Sequence, residues 1–326
     1  MTERAESNPR HVPVLLQLAI RMLNVRRGGV VVDATLGNAG HASEIAMRLG
    51  PGGKLIGFDR DPEAVALAKQ RLDALGNELG AEMPQVVLHD VEFSRMAEVL
   101  AGEKVDGLMA DFGVSSMQFD EAHRGFSFQA EGNLDMRMNP REGVTAEQVV
   151  NQAGEKELAD LIYEFGEERR SRRIARAIVR SRPVTTTAQL ARVVAGAAGA
   201  MKQERGRHFI HPATRTFQAL RIYVNAELSE IDALLRLAPE VLKPGGRLVT
   251  ISFHSLEDRR VKDALREGAQ QGIWEVLTRK PLTADAEETD RNPRARSAKL
   301  RAAERIEQGT GGRASGKGEE RWRHRR

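Results

Sequence analysis

Short apolar runs alternate with helix-compatible stretches along the first third of the chain. The apolar runs are rich in β-branched residues and too short for amphipathic helices, so they predict strands that are buried on both faces. The predicted strands cover residues 30–32, 54–58, 86–89 and 105–110, and the predicted helices between them cover residues 41–49, 62–75 and 94–100. Regular alternation of this kind predicts an α/β fold, with a doubly wound, mostly parallel sheet and helices on both faces.

The alternation stops between about residues 126 and 212, where helical patterns follow one another without strands. Helices are predicted there at residues 147–153, 156–165, 167–180 and 187–200. The α/β pattern then resumes with one long helix at residues 215–237 and a fifth strand within residues 242–255, which belongs beside the fourth. The predicted domain organisation is a first α/β part (1–125), an all-helical insertion (126–212), a second α/β part (213–305) and a basic tail (306–326).

The first predicted strand is followed by a glycine-containing turn, in the sequence VVVDATLGNAGH at residues 30–41. Asp33, Gly37 and Gly40 lie where this strand meets the first helix, and such folds bind ligands outside the carboxyl ends of their strands. Asp59 ends the second strand, where an acidic side chain can accept hydrogen bonds from both hydroxyls of a ribose. The spacing G-x-x-G is shorter than the dinucleotide fingerprint G-x-G-x-x-G, so an adenosine-cofactor site and a purely structural turn both remain open.

A polar loop follows the fourth strand, in the sequence MADFGVSSMQFD at residues 109–120. It lies at the same edge of the predicted sheet as Gly40 and Asp59, so Asp111 and Ser115 are candidates for lining a substrate pocket. The alternative is a turn whose serines only satisfy neighbouring backbone groups. His254 follows the fifth strand and is either a group that orients a substrate or an ordinary hydrogen-bonding residue.

The composition excludes several classes of site. The chain has 326 residues, of which 40% are hydrophobic, enough for about two domains and a sizeable core. It has no cysteine, which excludes disulfides and thiolate metal sites, and His208 and His211 are too isolated to predict a metal site. The chain lacks a run of about 18 apolar residues that could span a membrane, and its start is charged, so a soluble cytoplasmic protein is expected. Both a monomer and a homodimer are compatible with this sequence.

Positive charge is unevenly distributed along the chain, whose formal net charge is +4. The stretch GEERRSRRIARAIVRSR at residues 166–182 places Arg169, Arg172 or Arg173, Arg176 and Arg180 along one helical face. This face is either solvated or contacts the backbone phosphates of a nucleic acid. Residues 291–305 are also basic, and their pattern predicts partial order. The Gly-rich, charged stretch from residue 309 is predicted to be disordered.

Nine sequence blocks resemble the ribosomal RNA small subunit methyltransferase H family, also called MraW. They occur in the family's order and cover nearly all of residues 11–305, which makes them far more specific than one glycine turn. The blocks are HVPVLL (11–16), DATLGNAGH (33–41), FDRDP (58–62), DFGVSSMQFD (111–120), RGFSF (124–128), LDMRM (134–138), HPATRTFQALRIYVN (211–225), GGRLVTISFHSLEDR (245–259) and NPRARSAKLR (292–301).

The resemblance implies a class I, Rossmann-like methyltransferase that uses S-adenosylmethionine. Its implied reaction is methylation of the exocyclic N4 amine of a specific cytidine in the decoding region of bacterial 16S rRNA, within the small ribosomal subunit. The implied cofactor contacts are Ala39, Gly40, His41, Asp59, Phe93, Asp111 and Gln118. Relatives commonly carry Gly-Gly-His where this chain has Ala39, whose methyl group would crowd the cofactor if this residue has a positive φ.

The implied chemistry needs no metal, because the methyl group of the cofactor is already activated. Positioning is therefore expected to dominate, with Asp111, Ser115 or the backbone of their loop accepting the proton of the amine. Phe112, Phe119 and Phe126 are candidates for contacting a flipped-out base, or for ordinary core packing. The alternatives are methylation of another RNA or protein acceptor, a nicotinamide-dependent oxidoreductase and a non-catalytic RNA-binding protein; the last two fit the glycine turn and the pocket pattern less well.

Overall fold

The computed structural model of the chain describes residues 13–199 and 211–307. His208, the predicted tail from residue 308 onward and the first residues of the block HVPVLL lie outside the described residues. Within the described ranges, no helix is both long enough and apolar enough to cross a membrane. The strands are β1 (Val30–Asp33), β2 (Lys54–Asp59), β3 (Gln85–Asp90), β4 (Val105–Asp111), β5 (Leu242–Ser252), β6 (Trp274–Val276) and β7 (Lys299–Arg305).

Helices connect and cover these strands. The α-helices are α1 (Leu16–Leu23), α2 (Gly40–Leu49), α3 (Pro62–Leu79), α4 (Met96–Leu100), α5 (Ser116–Asp120), α6 (Ala146–Gln152), α7 (Glu155–Gly166), α8 (Ser171–Arg180), α9 (Thr187–Ala198), α10 (Thr214–Val224), α11 (Glu227–Val241), α12 (Ser255–Gln270) and α13 (Ala286–Arg291). Short 3₁₀ helices cover Gly80–Glu82, Phe93–Arg95, Ala122–Arg124 and Pro293–Ser297.

The described strands form one sheet in the order β3-β2-β1-β4-β5-β7-β6. Strands β1 to β5 pair in parallel, and β7 is antiparallel to both of its neighbours. The predicted doubly wound, mostly parallel sheet is therefore confirmed, as is the position of the fifth strand beside the fourth. The strand order reverses between β1 and β4, where folds of this type open a crevice for ligands.

The parallel strands bring their polar ends to one side of the sheet. β1 ends at Asp33, β2 at Asp59, β4 at Asp111 and β5 at Ser252. We call this side, where the four strands end, the carboxyl edge. It is the place where a parallel sheet of this kind binds its ligands.

Apolar side chains cover both faces of the sheet. Val31 and Val32 are neighbours in β1, so their side chains point to opposite faces, and both are almost completely buried. Val32 belongs to an apolar cluster with residues of α11 and α12, whereas Val31 belongs to a second cluster with residues of α1 and α2. Helices therefore bury the parallel strands on both sides, as the continuous apolar runs predicted.

The four helices predicted between residues 147 and 200 are present as α6, α7, α8 and α9. They share a third apolar cluster with α10, to which α8 contributes Ile174, Ala175 and Ile178. The prediction that the third of these helices begins at Glu167 is wrong. α7 ends at Gly166, Glu167 has a left-handed backbone (φ 48°), and α8 begins only at Ser171.

The prediction of one long helix at residues 215–237 is also wrong, because the chain forms α10 and α11 instead. Ala226 lies between them with a left-handed backbone (φ 48°). The amide of Asn225 donates to the carbonyl of Met136 at 2.8 Å and accepts from the N–H of Met138 at 2.7 Å. Contacts with a distant segment thus stabilise a break that the helical pattern does not contain.

The basic stretch at residues 291–305 is more regular than its pattern predicted, since it supplies strand β7 between β5 and β6. Leu300, Ala302 and Ala303 are fully buried in the sheet. Arg301 is also buried, and its guanidinium pairs with Asp258 of α12 at 2.7 Å. Part of this basic segment therefore belongs to the core of the fold.

Candidate cofactor and acceptor site

The glycine turn between β1 and α2 is tied to the end of β2. Gly37 has a left-handed backbone (φ 47°), and its N–H donates to Asp59 Oδ2 at 2.8 Å. The other oxygen of Asp59 accepts from the N–H of Asp61 at 2.9 Å. A Cβ on Gly37 would lie 3.7 Å from the Cβ of Ser115, so the turn also borders the loop after β4. We call that loop, residues 112–120, the β4 loop.

Ala39 and Gly40 form the start of α2 under the N-terminal segment. Ala39 has a positive φ of 52° and is fully buried, so this departure from the family pattern does occupy the left-handed region. A Cβ on Gly40 would lie only 2.2 Å from the Cγ of Pro13. The close approach of Pro13 requires glycine at position 40.

His41 is buried beside the carboxyl edge. Its Nε2 lies 3.1 Å from the carbonyl oxygen of Val14, and because a carbonyl can only accept, we assign the ring proton to Nε2. Burial lowers the pKa of His41 to about 4, so the ring is neutral near pH 7. Nδ1 is then an acceptor, 3.7 Å from Asp111 Oδ2.

Two carboxyl groups at the carboxyl edge have buried oxygen atoms without a hydrogen-bond partner among the described residues, Asp33 Oδ2 and Asp111 Oδ1. Burial raises the pKa of Asp33 to about 7, and the charge of Asp59 adds to the rise. Burial also raises the pKa of Asp59 to about 6. The pKa of Asp111 is raised well above its usual value by burial and by the charges of Asp33 and Glu257. A bound cation would favour the ionised forms of these groups, so the edge fits a positively charged ligand.

The β4 loop is held by reciprocal hydrogen bonds at the start of α5. Ser115 Oγ accepts from the N–H of Gln118 at 3.2 Å, and Gln118 Oε1 accepts from the N–H of Ser115 at 3.0 Å. The amide Nε2 of Gln118 donates to Asp61 Oδ2 at 2.7 Å. Ser115 therefore does satisfy local backbone groups, as one alternative held, and both polar ends of the Gln118 amide are engaged within the protein.

The phenylalanines near the β4 loop have different environments. Phe112 and Phe126 are 4% and 6% exposed, so the core-packing alternative is confirmed for both. Phe119 is half-buried, and the guanidinium of Arg294 lies 5.4 Å from the centre of its ring. Phe93 is also half-buried and lies just beyond β3 at the carboxyl edge. Phe93 and Phe119 thus keep part of their surface outside the core.

His254 lies in an ion-pair network that the sequence pattern did not indicate. Its Nε2 lies 3.1 Å from Glu257 Oε1, and Arg221 donates to both oxygens of Glu227 at 2.8 and 2.9 Å. Burial would raise the pKa of Glu257, but His254 and Arg221 hold it below its usual value. Atoms of Glu227, His254 and Glu257 lie within 4.8 Å of one another, a spacing that could suit a metal ion. Arg221 already engages both Glu227 oxygens, and His254 Nδ1 accepts from the N–H of Glu257 at 3.4 Å, so hydrogen bonds within the protein explain the arrangement.

Arginines in and beside α8 divide into two kinds. Arg170 and Arg182, next to its two ends, donate to backbone carbonyls and support the fold. Arg173, Arg176 and Arg180 line an open hollow on the surface. In the part of the chain that the structure describes, Arg176 pairs with a glutamate of α7, whereas Arg173 and Arg180 form no ion pair. The predicted basic face is therefore present, and Arg173 and Arg180 are among its arginines that form no ion pair with a described residue.

Comparison with known proteins gives matches over almost the whole chain. Residues 8–306 match the family model described as the MraW methylase family. A protein of Acidobacterium capsulatum named ribosomal RNA small subunit methyltransferase H is 77% identical over 296 residues, covering 91% of this chain and 98% of the relative. Proteins of the same name from Koribacter versatilis and Sorangium cellulosum are 58% and 50% identical, covering 93% and 91% of this chain and 96% and 91% of the relatives. The matches include both α/β parts and the helices between them.

Proposed function

Because this chain belongs to the MraW methylase family, we propose that it methylates the exocyclic N4 amine of a cytidine in the decoding region of 16S rRNA. It is an S-adenosylmethionine-dependent rRNA methyltransferase with a class I, Rossmann-like fold. The observation that supports the position of its site is a pair of oxygens beside the glycine turn, Asp33 Oδ2 and Asp111 Oδ1, that have no hydrogen-bond partner among the described residues. A ligand that is cationic and also carries a ribose suits these oxygens and Asp59 together.

The carboxyl edge is the proposed cofactor site, with Ala39, Gly40, His41, Asp59, Phe93 and Asp111 as its contacts. Gln118, the seventh contact that the resemblance implies, has both ends of its amide engaged by Ser115 and Asp61. When bound, S-adenosylmethionine supplies a methyl group that its positively charged sulfur activates. Asp59 would accept hydrogen bonds from the ribose hydroxyls, since its carboxylate already lies against the backbone of Gly37. Phe93 offers an apolar ring to the adenine, and Asp111 offers a negative charge to the cationic part of the ligand.

Asp111 is the proposed proton acceptor for the amine. The lone pair of a cytosine amine is delocalised into the ring, so acceptors that bind its N–H groups help to localise the lone pair on nitrogen. Asp111 Oδ1 has no partner among the described residues, and burial raises the pKa of Asp111, which makes its carboxylate a stronger base. Ser115 and the backbone carbonyls of the β4 loop are the proposed second acceptors, which orient the amine.

Residues 126–212 are the proposed RNA-recognition part, and the assembled small ribosomal subunit is the proposed substrate. Arg173 and Arg180, which pair with no acid among the described residues, lie beside the hollow on α8, where backbone phosphates would find complementary charge. Arg294 lies over Phe119 and pairs with Asp120 at 2.6 Å, so basic charge also reaches the β4 loop. Positive charge is thus available both near the proposed pocket and on the helical part.

Transfer of a labelled methyl group to small subunits from cells that lack this protein tests the proposal. Mass spectrometry of the digested rRNA identifies the product, and N4-methylated cytidine made by the wild type supports it. Asp111→Asn keeps the size of the side chain but removes the base, so turnover should fall by roughly 100-fold or more. Methylation of another atom or another class of acceptor would contradict the cytidine assignment. Equal rates on protein-free rRNA would contradict the assembled subunit as the substrate.

A further inference from the structure

A buried carboxylate links the turn after β2 to the β4 loop. Asp61 is 0% exposed, and its Oδ2 accepts from Gln118 Nε2 at 2.7 Å and from Arg124 Nη2 at 2.8 Å. Its Oδ1 caps α3 by accepting from the N–H of Glu63 at 3.1 Å. One carboxylate therefore holds a helix start, the amide of the β4 loop and a buried arginine at the same time.

Arg124 holds this carboxylate from the opposite side. Its Nη2 also donates to the carbonyl of Met138 at 2.9 Å, and its Nη1 pairs with Glu63 at 3.0 Å. The backbone next to it is tightly packed, because a Cβ on Gly125 would lie 2.3 Å from the carbonyl oxygen of Asn133. A buried guanidinium with so many partners has little freedom, and removing the carboxylate of Asp61 would leave only the exposed Glu63 to balance its charge.

The turn after β2 contacts both halves of the proposed site. Asp59 accepts from the N–H of Gly37 in the glycine turn, and Asp61, two residues later, accepts from Gln118 in the β4 loop. The two aspartates are themselves joined, since Asp59 Oδ1 accepts from the N–H of Asp61 at 2.9 Å. The proposed cofactor side and the proposed acceptor side thus share one short, rigid connection.

We propose that Asp61, Gln118 and Arg124 are positioning residues, which hold the β4 loop so that Asp111 and Ser115 face the acceptor amine. This inference rests on the proposed function of the carboxyl edge. Gln118 then acts on the acceptor side and not as a cofactor contact. Its Oε1 is engaged by the N–H of Ser115 and its Nε2 by Asp61, so the amide connects the cap of α5 to the turn after β2.

Gln118→Glu is the first test, because it keeps the size of the side chain and its acceptor for the N–H of Ser115. It replaces the donor that faces Asp61 with a carboxylate oxygen, and repulsion then displaces the β4 loop. A displacement of about 1 Å can cost about 100-fold in rate, so kcat should fall by at least roughly tenfold. The Kd of S-adenosylmethionine, measured by calorimetry, should stay within about twofold of the wild-type value, since the proposed contacts with the cofactor are retained.

Adding Asp61→Asn to Gln118→Glu reverses the polarity of the same hydrogen bond. The new amide at position 61 can donate to the carboxylate at position 118, and its oxygen can still cap α3. The acceptor that Asp61 Oδ2 offers to Arg124 Nη2 is lost, although the net charge near Arg124 is unchanged. Two changes that restore one contact are strongly non-additive, so kcat should recover by at least roughly threefold over Gln118→Glu. Gln70→Glu, at an exposed position of α3, is the matched control for one added negative charge and should leave kcat unchanged.

The outcomes separate this inference from the proposed function. Wild-type protein that transfers no methyl group to rRNA contradicts the proposed function itself. With an active wild type, an unchanged kcat in Gln118→Glu overturns the positioning role. The positioning role is also overturned if the cofactor Kd rises by the same factor as kcat/KM falls and Asp61→Asn does not restore it. That result would make Gln118 a cofactor contact. If the single variant does not fold, a double variant that recovers both folding and turnover supports the inference, and one that recovers folding alone overturns it.

Discussion

A Cβ atom on Gly40 would lie 2.2 Å from the Cγ of Pro13, far inside any normal contact distance between two carbon atoms. The N-terminal segment therefore packs directly on the turn that starts α2. The next residue of the segment continues this contact, because the carbonyl of Val14 is the partner of His41 Nε2 at 3.1 Å. The start of the described chain is thus part of the wall around the proposed cofactor site.

Gly40→Ala should destabilise the protein, because either Pro13 or the turn must move to admit the methyl group. Overpacking of this kind typically costs about 1–3 kcal/mol in the free energy of unfolding, which denaturant titration measures. Gly196→Ala is the matched control, since Gly196 is exposed in α9 and a Cβ there meets no atom within 4 Å. That change should stabilise the helix by about 0.5–1 kcal/mol. Equal effects of the two changes would contradict the close contact with Pro13.

Ala39→Gly should leave the free energy of unfolding almost unchanged. Relief of the left-handed backbone (φ 52°) would stabilise the protein, by about 1 kcal/mol. Ala39 is fully buried, so loss of its methyl group costs about 0.8 kcal/mol, which nearly cancels the gain. Ala101→Gly is the comparison, because Ala101 has a similar φ of 47° but is exposed. There the gain of about 1 kcal/mol should appear in full, and a larger gain at Ala39 would mean that its methyl group is strained.

Cofactor affinity should rise with pH through the range in which the aspartates of the carboxyl edge ionise. The pKa of Asp33 is about 7 and that of Asp59 about 6, both above their usual values. A cationic cofactor favours the ionised carboxylates, so binding releases protons and becomes tighter as pH increases. The cofactor-free protein has the opposite dependence. Its folded state keeps protons that the unfolded chain has already lost. The contribution of Asp33 and Asp59 to the free energy of unfolding is therefore most favourable below their pKa in the unfolded chain, and it falls as pH rises through their pKa in the folded protein.

Calorimetry in two buffers of different ionisation enthalpy measures the protons released on binding. Asp33→Asn keeps the acceptor for the N–H of Thr35 but removes one titrating group, so it should release fewer protons and flatten the pH dependence. An affinity for S-adenosylmethionine that is independent of pH would contradict a role for these carboxylates in binding the cation.

Arg173→Gln combined with Arg180→Gln should weaken binding to the small ribosomal subunit without changing the Kd of S-adenosylmethionine. The logarithm of the binding constant falls linearly with the logarithm of the salt concentration, and each lost phosphate contact makes this slope less steep by about 0.7–0.9. The double change should therefore make it less steep by roughly 1.5. Arg27→Gln is the control, because Arg27 is exposed and pairs with Glu82 away from the helical part. An unchanged salt slope in the double variant would argue against the hollow on α8 as a phosphate-binding surface.

The fold was predictable wherever local pattern and tertiary environment agree. Strands such as β1 and β4 are apolar runs that any buried parallel sheet requires, and α2 begins within one residue of its predicted start. The break between α10 and α11 was not predictable, because it depends on hydrogen bonds from Asn225 to a segment far away in sequence. A helical period contains no information about such a partner.

The candidate site was also predictable only in part. Asp33, Asp59 and Asp111 could be placed at one edge from strand ends alone, and the structure brings them together there. The partners of Gln118 could not be inferred, although Asp61 and Arg124 both lie in sequence blocks that carry the family resemblance. A motif gives the identity of a residue at a position, whereas the direction of its amide depends on which distant groups surround it.

Strand β7 also determines when the fold can be completed during synthesis. It lies between β5 and β6, so β6 has no neighbour in the sheet until residues 299–305 have left the ribosome. Until then one side of β5 presents unpaired N–H and C=O groups, which are a template for pairing with another chain. A chain that stops short of β7 therefore carries an open sheet edge and is prone to aggregate, even though every residue of the proposed methyl-transfer site has already been made.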